Sequence, residues 1–462
     1  MNQTKYSEPG TTIAAISTPQ APGGIGIIRI SGPQAQAIAG KVFSPLHKKS
    51  LEEIPGYSAL YGTVHDEAGE IDEAIALNFR QPKSFTGENV VELSCHGGLM
   101  ILRRLLRAVF HAGAAPAGPG EFTRRAFLNG KIGLTEAESV MQLVSAQGEQ
   151  AAKAALAGHE GALERKIKVI REELLQTAAH LSAWADYPED DVPQVTEQEL
   201  RASLTGVKSD LQSLLNGFDA GQILREGVNT VIAGRPNTGK STLMNLLAGC
   251  ERSIVTSFAG TTRDVVEDTV LLGGIPLRLA DTAGLCDTAD PIENAGVSRA
   301  KKRIRSARLI LAVFDASQEL QEEDKKLLRD LEKTPSIAVL NKTDLPIKLN
   351  EKYIKSKIKH FVYFSARTGK GLAELTKEIS VVLGTKELDP ADGMLFTERQ
   401  RDAAERSLNH VEEALEALES GMTFDAITVS VEDAISALLE LTGEQATVAV
   451  VDSVFSHFCV GK

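Results

Sequence analysis

The chain has 462 residues, 42% of them hydrophobic and 24% charged, with a formal net charge of −12 at neutral pH. The length calls for about three domains, and the composition is that of an ordinary soluble globular protein. The negative balance argues against indiscriminate nucleic-acid binding, although a local basic face could still hold an RNA.

No apolar run is long enough to suggest a membrane span, and the polar start Met1-Asn2-Gln3-Thr4-Lys5 does not read as a secretory leader. A cytoplasmic location is expected. Cys95, Cys250, Cys286 and Cys459 are scattered without a C-x-x-C pair, so neither a disulfide framework nor a zinc site is indicated.

Residues 1–131 read as mixed α/β. Thr12 to Ser17 and Ile25 to Ile30 are expected strands around a Pro22-Gly23-Gly24 turn. Gly24-Ile25-Gly26 is not a dinucleotide fingerprint, because the third glycine would fall on Arg29 and no helix opens there. Two further dense patches are Ser84 to Gly98, with a helix expected over Leu99 to Phe110, and Gly118 to Lys131. Read alone, Arg29, Glu92 and Lys131 are ordinary surface charges. Cys95 and His96 are strand neighbours, and so point to opposite faces rather than forming a nucleophile pair.

Residues 132–225 turn helical. Leu134, Ala137, Val140, Met141 and Val144 form one apolar face, with Thr135 as the expected cap. A long helix is expected over Gln150 to Ala185, then an acidic loop Tyr187 to Pro193, then a helix from Glu197 to Phe218.

Residues 226–383 carry the most informative motifs. Gly234-Arg235-Pro236-Asn237-Thr238-Gly239-Lys240-Ser241 fits the phosphate-binding loop G-x-x-x-x-G-K-[ST], between an apolar strand, Val228 to Ala233, and a helix that opens at Thr242. Backbone N–H groups at the helix start would cradle phosphate, Lys240 would add a point charge, and Ser241 would offer its hydroxyl to Mg²⁺. Gly260-Thr261-Thr262-Arg263-Asp264 lies where a first switch belongs, and Thr262 is the expected second Mg²⁺ ligand. Asp281-Thr282-Ala283-Gly284 ends the strand Leu277 to Ala280 and would set a carboxylate beside the metal and an N–H near the γ-phosphate. Asn341-Lys342-Thr343-Asp344 closes the strand Ser336 to Leu340, and Asp344 can accept the N1–H and N2–H₂ donors that guanine offers and adenine does not. Ser365-Ala366-Arg367 would bring a backbone N–H to guanine O6. Four such elements in order make this a GTP-binding domain of the Ras-like P-loop kind. Leu285 stands where Ras-type GTPases orient water with glutamine, leaving Asp287, Asp290 and Glu293 to supply that group. Helices return over 384–462, so the G domain is expected to be inserted into a helical domain made of two segments.

These residues together resemble the MnmE (TrmE) family of tRNA-modification GTPases along essentially the whole chain. The resemblance rests on the P-loop, on Gly260 to Asp264, on Leu285, and on the terminal Phe458-Cys459-Val460-Gly461-Lys462. The N-terminal patches Gly23 to Gly32, Ser84 to Gly98 and Gly120 to Lys131 make it specific. Val460 departs from the isoleucine or leucine usual in that tail, and Thr442 to Asp452 is less acidic than in relatives. The resemblance implies an N-terminal folate-binding domain that also dimerises, a discontinuous helical domain and an inserted G domain. It implies action with the FAD-dependent partner MnmG at C5 of the wobble uridine of certain tRNAs, using a 5-formyl- or 5,10-methylene-tetrahydrofolate one-carbon unit. K⁺ is implied in place of an arginine finger, on Asn237, Thr256, Phe258 and Thr261. Ser257, Ala259, Gly260 and Thr242 fall within the implied nucleotide-contacting stretches. Glu293 is implied as the water-orienting carboxylate, Arg29, Glu92, Lys131 and Lys462 as folate contacts, and Cys459 as a nucleophile, against its plainer reading as a small buried hydrophobe.

Two other readings remain open from the residues: an assembly switch of the Era or Der kind, and a folate-dependent one-carbon transferase with a regulatory G domain. The chain has no second P-loop and no KH-like G-x-x-G loop. Basic clusters at Arg124, Arg125, Lys301, Lys302, Arg303 and Arg305 are read as solvated faces.

Overall fold

Alternation within Ile25-Gly26-Ile27-Ile28-Arg29-Ile30 sends Ile28 and Ile30 to one side of a strand and Arg29 to the other. The computed structural model describes residues 6, 8, 10–47, 49–186, 196–249, 268–280, 307–331, 334–386 and 389–461. It divides into two compact units: Met1–Met141 with Leu439–Lys462, and Gln142–Leu438.

The first unit is built on a seven-stranded sheet. Its strands are β1 (Ile13–Ile16), β2 (Ile25–Ser31), β3 (Phe43–Pro45), β4 (Ser58–Asp66), β5 (Gly69–Phe79), β6 (Val90–His96) and β7 (Ala115–Pro116), in the order β3-β4-β5-β6-β2-β1-β7. Ile28, Ile30, Val91 and Leu93 meet Ile38 of helix Ala35–Gly40 and Leu102, Leu105 and Val109 of helix Leu99–His111 in one core. Arg29 and Glu92 are direct register partners on the other side of the sheet. Cys95 is buried, and that burial pushes its thiol up to about 11. His96 is exposed and bonded to Asp72 at 2.9 Å, so the two neighbours do face apart.

Three helical expectations are corrected. Thr135 does not cap its helix: the helix begins at Leu134, the Glu136 carboxylate accepts the Gly133 N–H at 2.8 Å, and Val144 is exposed beyond the end of the apolar face. The long helix expected over Gln150 to Ala185 is two, Glu149–His159 and Ala162–Asp186, interrupted at Glu160-Gly161. The next helix runs Glu197–Glu226, past the expected end at Phe218, because Ala220, Ile223 and Leu224 keep its apolar face buried for two more turns. The acidic loop expected over Tyr187 to Pro193 lies outside the described residues.

The second unit holds a six-stranded sheet of order β13-β12-β11-β8-β10-β9. Its members are β8 (Val228–Ala233), β9 (Asp268–Leu272), β10 (Ile275–Ala280), β11 (Leu309–Asp315), β12 (Ser336–Asn341) and β13 (His360–Tyr363). All pairs except β9–β10 are parallel. Both faces are covered, with separate apolar cores around Leu311 and Val339 on one side and Phe314 and Leu340 on the other. In such a sheet the ligand crevice lies at the carboxyl ends of the parallel strands, which is where the motif loops start. Helices Glu197–Glu226 and Glu398–Glu419 flank the sheet in sequence and pack together, through Arg201–Glu419 at 2.6 Å and Lys208–Glu412 at 2.8 Å. The G domain is thus inserted into a discontinuous helical domain.

Gly227 ends the first of these helices with φ +74°, and a Cβ there would lie 2.6 Å from the Pro276 carbonyl oxygen. Gly217, inside the same helix, has open space around it. Gly227→Ala is therefore expected to destabilise by about 1–3 kcal/mol, whereas Gly217→Ala should stabilise by about 0.5–1 kcal/mol. Urea midpoints of the two variants, which should move in opposite directions, check this.

Candidate functional site

The strand β8 runs into the loop Gly234–Gly239, and helix Lys240–Gly249 opens directly after it. The first N–H groups of that helix lack intrahelical acceptors and form an anion-binding end. Thr238 is fully buried, with its hydroxyl donated to the Arg235 carbonyl at 3.0 Å, so that hydroxyl serves the loop itself. Lys240 Nζ donates to the same carbonyl at 2.8 Å. Ser241 and Thr242 are exposed in the first turn of the helix. Asn237 adopts the left-handed backbone, φ +61°. Gly239 has φ +95°, and a Cβ there would stand 2.2 Å from Asn341 Nδ2, so only glycine fits.

Asn341, at the end of β12 and 2% exposed, holds two loops at once. Its Nδ2 donates to the Thr238 carbonyl at 2.8 Å, and its Oδ1 accepts the Ala366 N–H at 2.9 Å. Lys342 donates to the Asn237 carbonyl at 2.8 Å and to Asp315 Oδ2 at 2.6 Å. Burial pushes the Asp315 carboxyl up, but the Lys342 ammonium and the hydroxyl and N–H of Ser317 outweigh it, so the group sits below its ordinary value. Asp344 is held low by the Ser365 hydroxyl, bonded at 2.7 Å, with Arg367 and Lys342 adding positive charge. It is an ionised acceptor, which its own backbone N–H also helps to hold low, as a reader of paired N–H donors requires. Because the Ala366 N–H is already taken by Asn341, the Arg367 N–H is the donor of this loop left without an acceptor among the described residues.

Two partners of this site were not anticipated. Asp315 ends an entirely buried strand and is the register partner of Asn341, so a lone carboxylate closing an apolar run beside the P-loop strand was the available signal. Arg235, in the P-loop, reaches Asp324 at 3.1 Å and Gln318 at 2.7 Å. Asp324 also takes the Gln321 N–H at the start of helix Glu322–Asp330. Nothing in the local sequence marks that tertiary pair.

Thr256, Ser257, Phe258, Ala259, Gly260, Thr261, Thr262, Asp281, Thr282, Ala283, Gly284, Leu285, Glu293 and Lys462 lie outside the described residues. Of the expected Mg²⁺ ligands the described residues include Ser241, and of the expected K⁺ ligands Asn237. Among the described residues no group of three or more His, Cys, Asp or Glu side chains could hold a metal.

In the first unit, Arg29 Nε donates to Glu92 Oε1 at 2.8 Å, with the side chains 19% and 16% exposed. The guanidinium lies over the rings of Phe85 and Phe122, 5.4 and 5.5 Å from their centroids. Glu92 Oε2 has no bond among the described residues. Lys131 is exposed and donates to the Pro82 carbonyl at 3.3 Å, beside the loop that carries Phe85. These three expected contacts therefore gather around one loop, and the charge pair is fixed rather than solvated. The tail docks close by in the fold: the Gly120 N–H donates to the Cys459 carbonyl at 3.2 Å, and Ser17 Oγ to the Gly461 carbonyl at 3.1 Å. Cys459 is half-buried, so it is not a core hydrophobe, while Phe458 packs on Phe455 at 5.0 Å. Arg125 is buried against Glu121 and Glu88, and Arg124 pairs with Asp452 at 3.1 Å, so the two are not a solvated face. The cluster Lys301 to Arg305 lies outside the described residues.

Comparison with known proteins covers 98% of the chain. The family model described as the TrmE N-terminus of a GTP-binding protein matches residues 12–131, and the MnmE helical domain model matches residues 134–459. A tRNA modification GTPase MnmE of Heliobacterium modesticaldum is 41% identical over 98% of this chain and 100% of its own length. One from Symbiobacterium thermophilum is 42% identical over 98% and 99%. Among solved structures, Era from Aquifex aeolicus bound to GDP and AlF4⁻ aligns at 30% identity over 40% of this chain and 66% of that one, with a TM-score of 0.28. With both family models and full-length relatives in agreement, the chain belongs to the MnmE family of tRNA-modification GTPases.

Proposed function

We propose that this chain hydrolyses GTP to drive modification at C5 of the wobble uridine of certain tRNAs, in the cytoplasm and together with an FAD-dependent MnmG partner. The observation that carries the reading is the match to MnmE relatives over 98% of the chain, which keeps the N-terminal, helical and G domains in one protein. No described helix is long and apolar enough to cross a membrane.

On the G domain, Lys240 and the helix start hold the phosphates, and Asp344 selects guanine. Ser241 and Thr262 are the residues that hold Mg²⁺, and Asn237, Thr256, Phe258 and Thr261 those that hold K⁺. The exposed Ser241 hydroxyl and the positive-φ Asn237 at the loop tip fit those roles. The bound K⁺ supplies the positive charge that an arginine finger supplies elsewhere. With Leu285 unable to hydrogen-bond, Glu293 orients the attacking water. Dimerisation places two such sites together.

The N-terminal unit takes the one-carbon donor, a 5-formyl- or 5,10-methylene-tetrahydrofolate. A folate offers pterin N–H donors and an anionic glutamate tail. The unbonded Glu92 oxygen suits the first, and Arg29, Lys131 and Lys462 suit the second. Cys459 is the thiol available for covalent chemistry.

Bulk tRNA from cells lacking this protein is expected to lose its C5-aminomethyl-type wobble uridines, and the wild-type gene should restore them. A complementing Cys459→Ser protein would remove the thiol from the chemistry, and an unchanged nucleoside profile in the deletion would overturn the proposal. GTP turnover is expected to rise sharply in KCl over NaCl, and Asn237→Ala should remove the rise. Equal rates in both salts for the wild type would contradict the potassium role.

A further inference from the structure

One charged surface of the G domain lies apart from the residues assigned above to the nucleotide. Between Leu345 and Tyr363 the chain carries Lys348, Lys352, Lys355, Lys357 and Lys359 against the single acid Glu351, in a protein whose net charge is −12. All five lysines are exposed. They sit on and beside helix Glu351–Lys357, which is anchored from beneath by Ile354 and Ile358, 1% and 4% exposed.

Ordinary structural roles account for only part of this run. Lys355 and Lys357 lie in the last helical turn, where the dipole favours cations. Lys355 also pairs with Glu351 at 3.0 Å and lies 4.4 Å from the centroid of the Phe361 ring, tying the helix to β13. Protection of a sheet edge by lysine does not explain the rest, because none of the five falls on the edge strand His360–Tyr363 itself. Lys348, Lys352 and Lys359 carry no ion pair among the described residues. Lys352 stands in the first turn, where the helix dipole disfavours it. The adjoining helix Glu322–Asp330 mixes both signs and marks the border of the patch.

We propose that this lysine surface docks the backbone of the tRNA, an inference that rests on the function proposed above. A multiply charged polyanion suits a row of exposed lysines, because each phosphate neutralised releases condensed counterions. Base reading does not suit it: Lys355 covers the Phe361 ring, and the Tyr363 hydroxyl is bonded to Glu351. The contact is therefore to phosphates and independent of sequence, and it positions the tRNA without selecting it.

The test uses the full chain carrying Lys348→Glu, Lys352→Glu and Lys359→Glu, which leaves the structural Lys355 in place. Binding of fluorescein-labelled bulk tRNA is followed by anisotropy across a NaCl titration, with GTP turnover and thermal midpoint as folding controls. The variant should bind about ten-fold or more weakly at low salt, with a log K against log salt slope shallower by about 2–3 and turnover unchanged. In cells lacking the wild-type gene it should restore the modified nucleosides poorly. Wild-type affinity and slope in the variant would overturn the proposal. If that variant still fails to complement, the patch meets an acidic protein instead. If the wild-type gene itself restores no modified nucleoside, the functional reading fails, and the tRNA assignment of this patch with it.

Discussion

The nucleotide site depends on one partly buried junction, where Lys342 joins Asp315 to the Asn237 carbonyl and Asn341 joins the Thr238 carbonyl to the Ala366 N–H. The carboxyl ends of four parallel strands, β8, β11, β12 and β13, meet in those four bonds. Asp315 is almost wholly buried, so leaving its carboxylate unpaired would cost roughly 3–5 kcal/mol. The P-loop is therefore braced by the loops that follow β12 and β13. In the function proposed above, phosphate binding and guanine selection would then be parts of one rigid unit, the form of preorganisation that keeps the ordering cost of binding low.

The N-terminal unit solves a different problem with similar means. Its sheet buries Ile28, Ile30, Val91 and Leu93 under two helices, which leaves Arg29 and Glu92 opposite each other on the second face. Aromatic rings from Phe85 and Phe122 shield the pair, and Lys131 and the C-terminal tail are brought to the neighbouring loops. A charge pair held half-buried and incompletely bonded is the arrangement that the folate proposed above, with its donors and its anionic tail, would use.

Much of this was legible from local pattern, and the failures have local causes too. Strand–glycine loop–helix around Lys240, and the polar residues that end β12, are visible because each motif lies within a few consecutive residues. The separate faces of Cys95 and His96 followed from the period of a strand. Helix ends were harder: the helix expected to end at Phe218 is carried on to Glu226 by the buried Ala220, Ile223 and Leu224. Glu160-Gly161 looked continuous with its neighbours yet breaks the helix. Arg29 and Glu92 were indistinguishable from surface charges because their pairing depends on strand register across 63 residues. Asp324 escaped because its partner Arg235 lies far away in sequence, whereas Asp315 did carry a local signal, the carboxylate that closes a buried strand.

The most direct test of the braced site is a double-mutant cycle on Asp315 and Lys342, read out as the GDP dissociation constant of the full chain. Asp315→Ala removes a residue that has no assigned contact with the nucleotide. It should nevertheless weaken binding by about ten-fold or more, on the order of 1.4 kcal/mol, and the loss should be strongly non-additive with that of Lys342→Ala. Unchanged GDP affinity in Asp315→Ala, or losses that simply add, would show that the junction does not prepare the site.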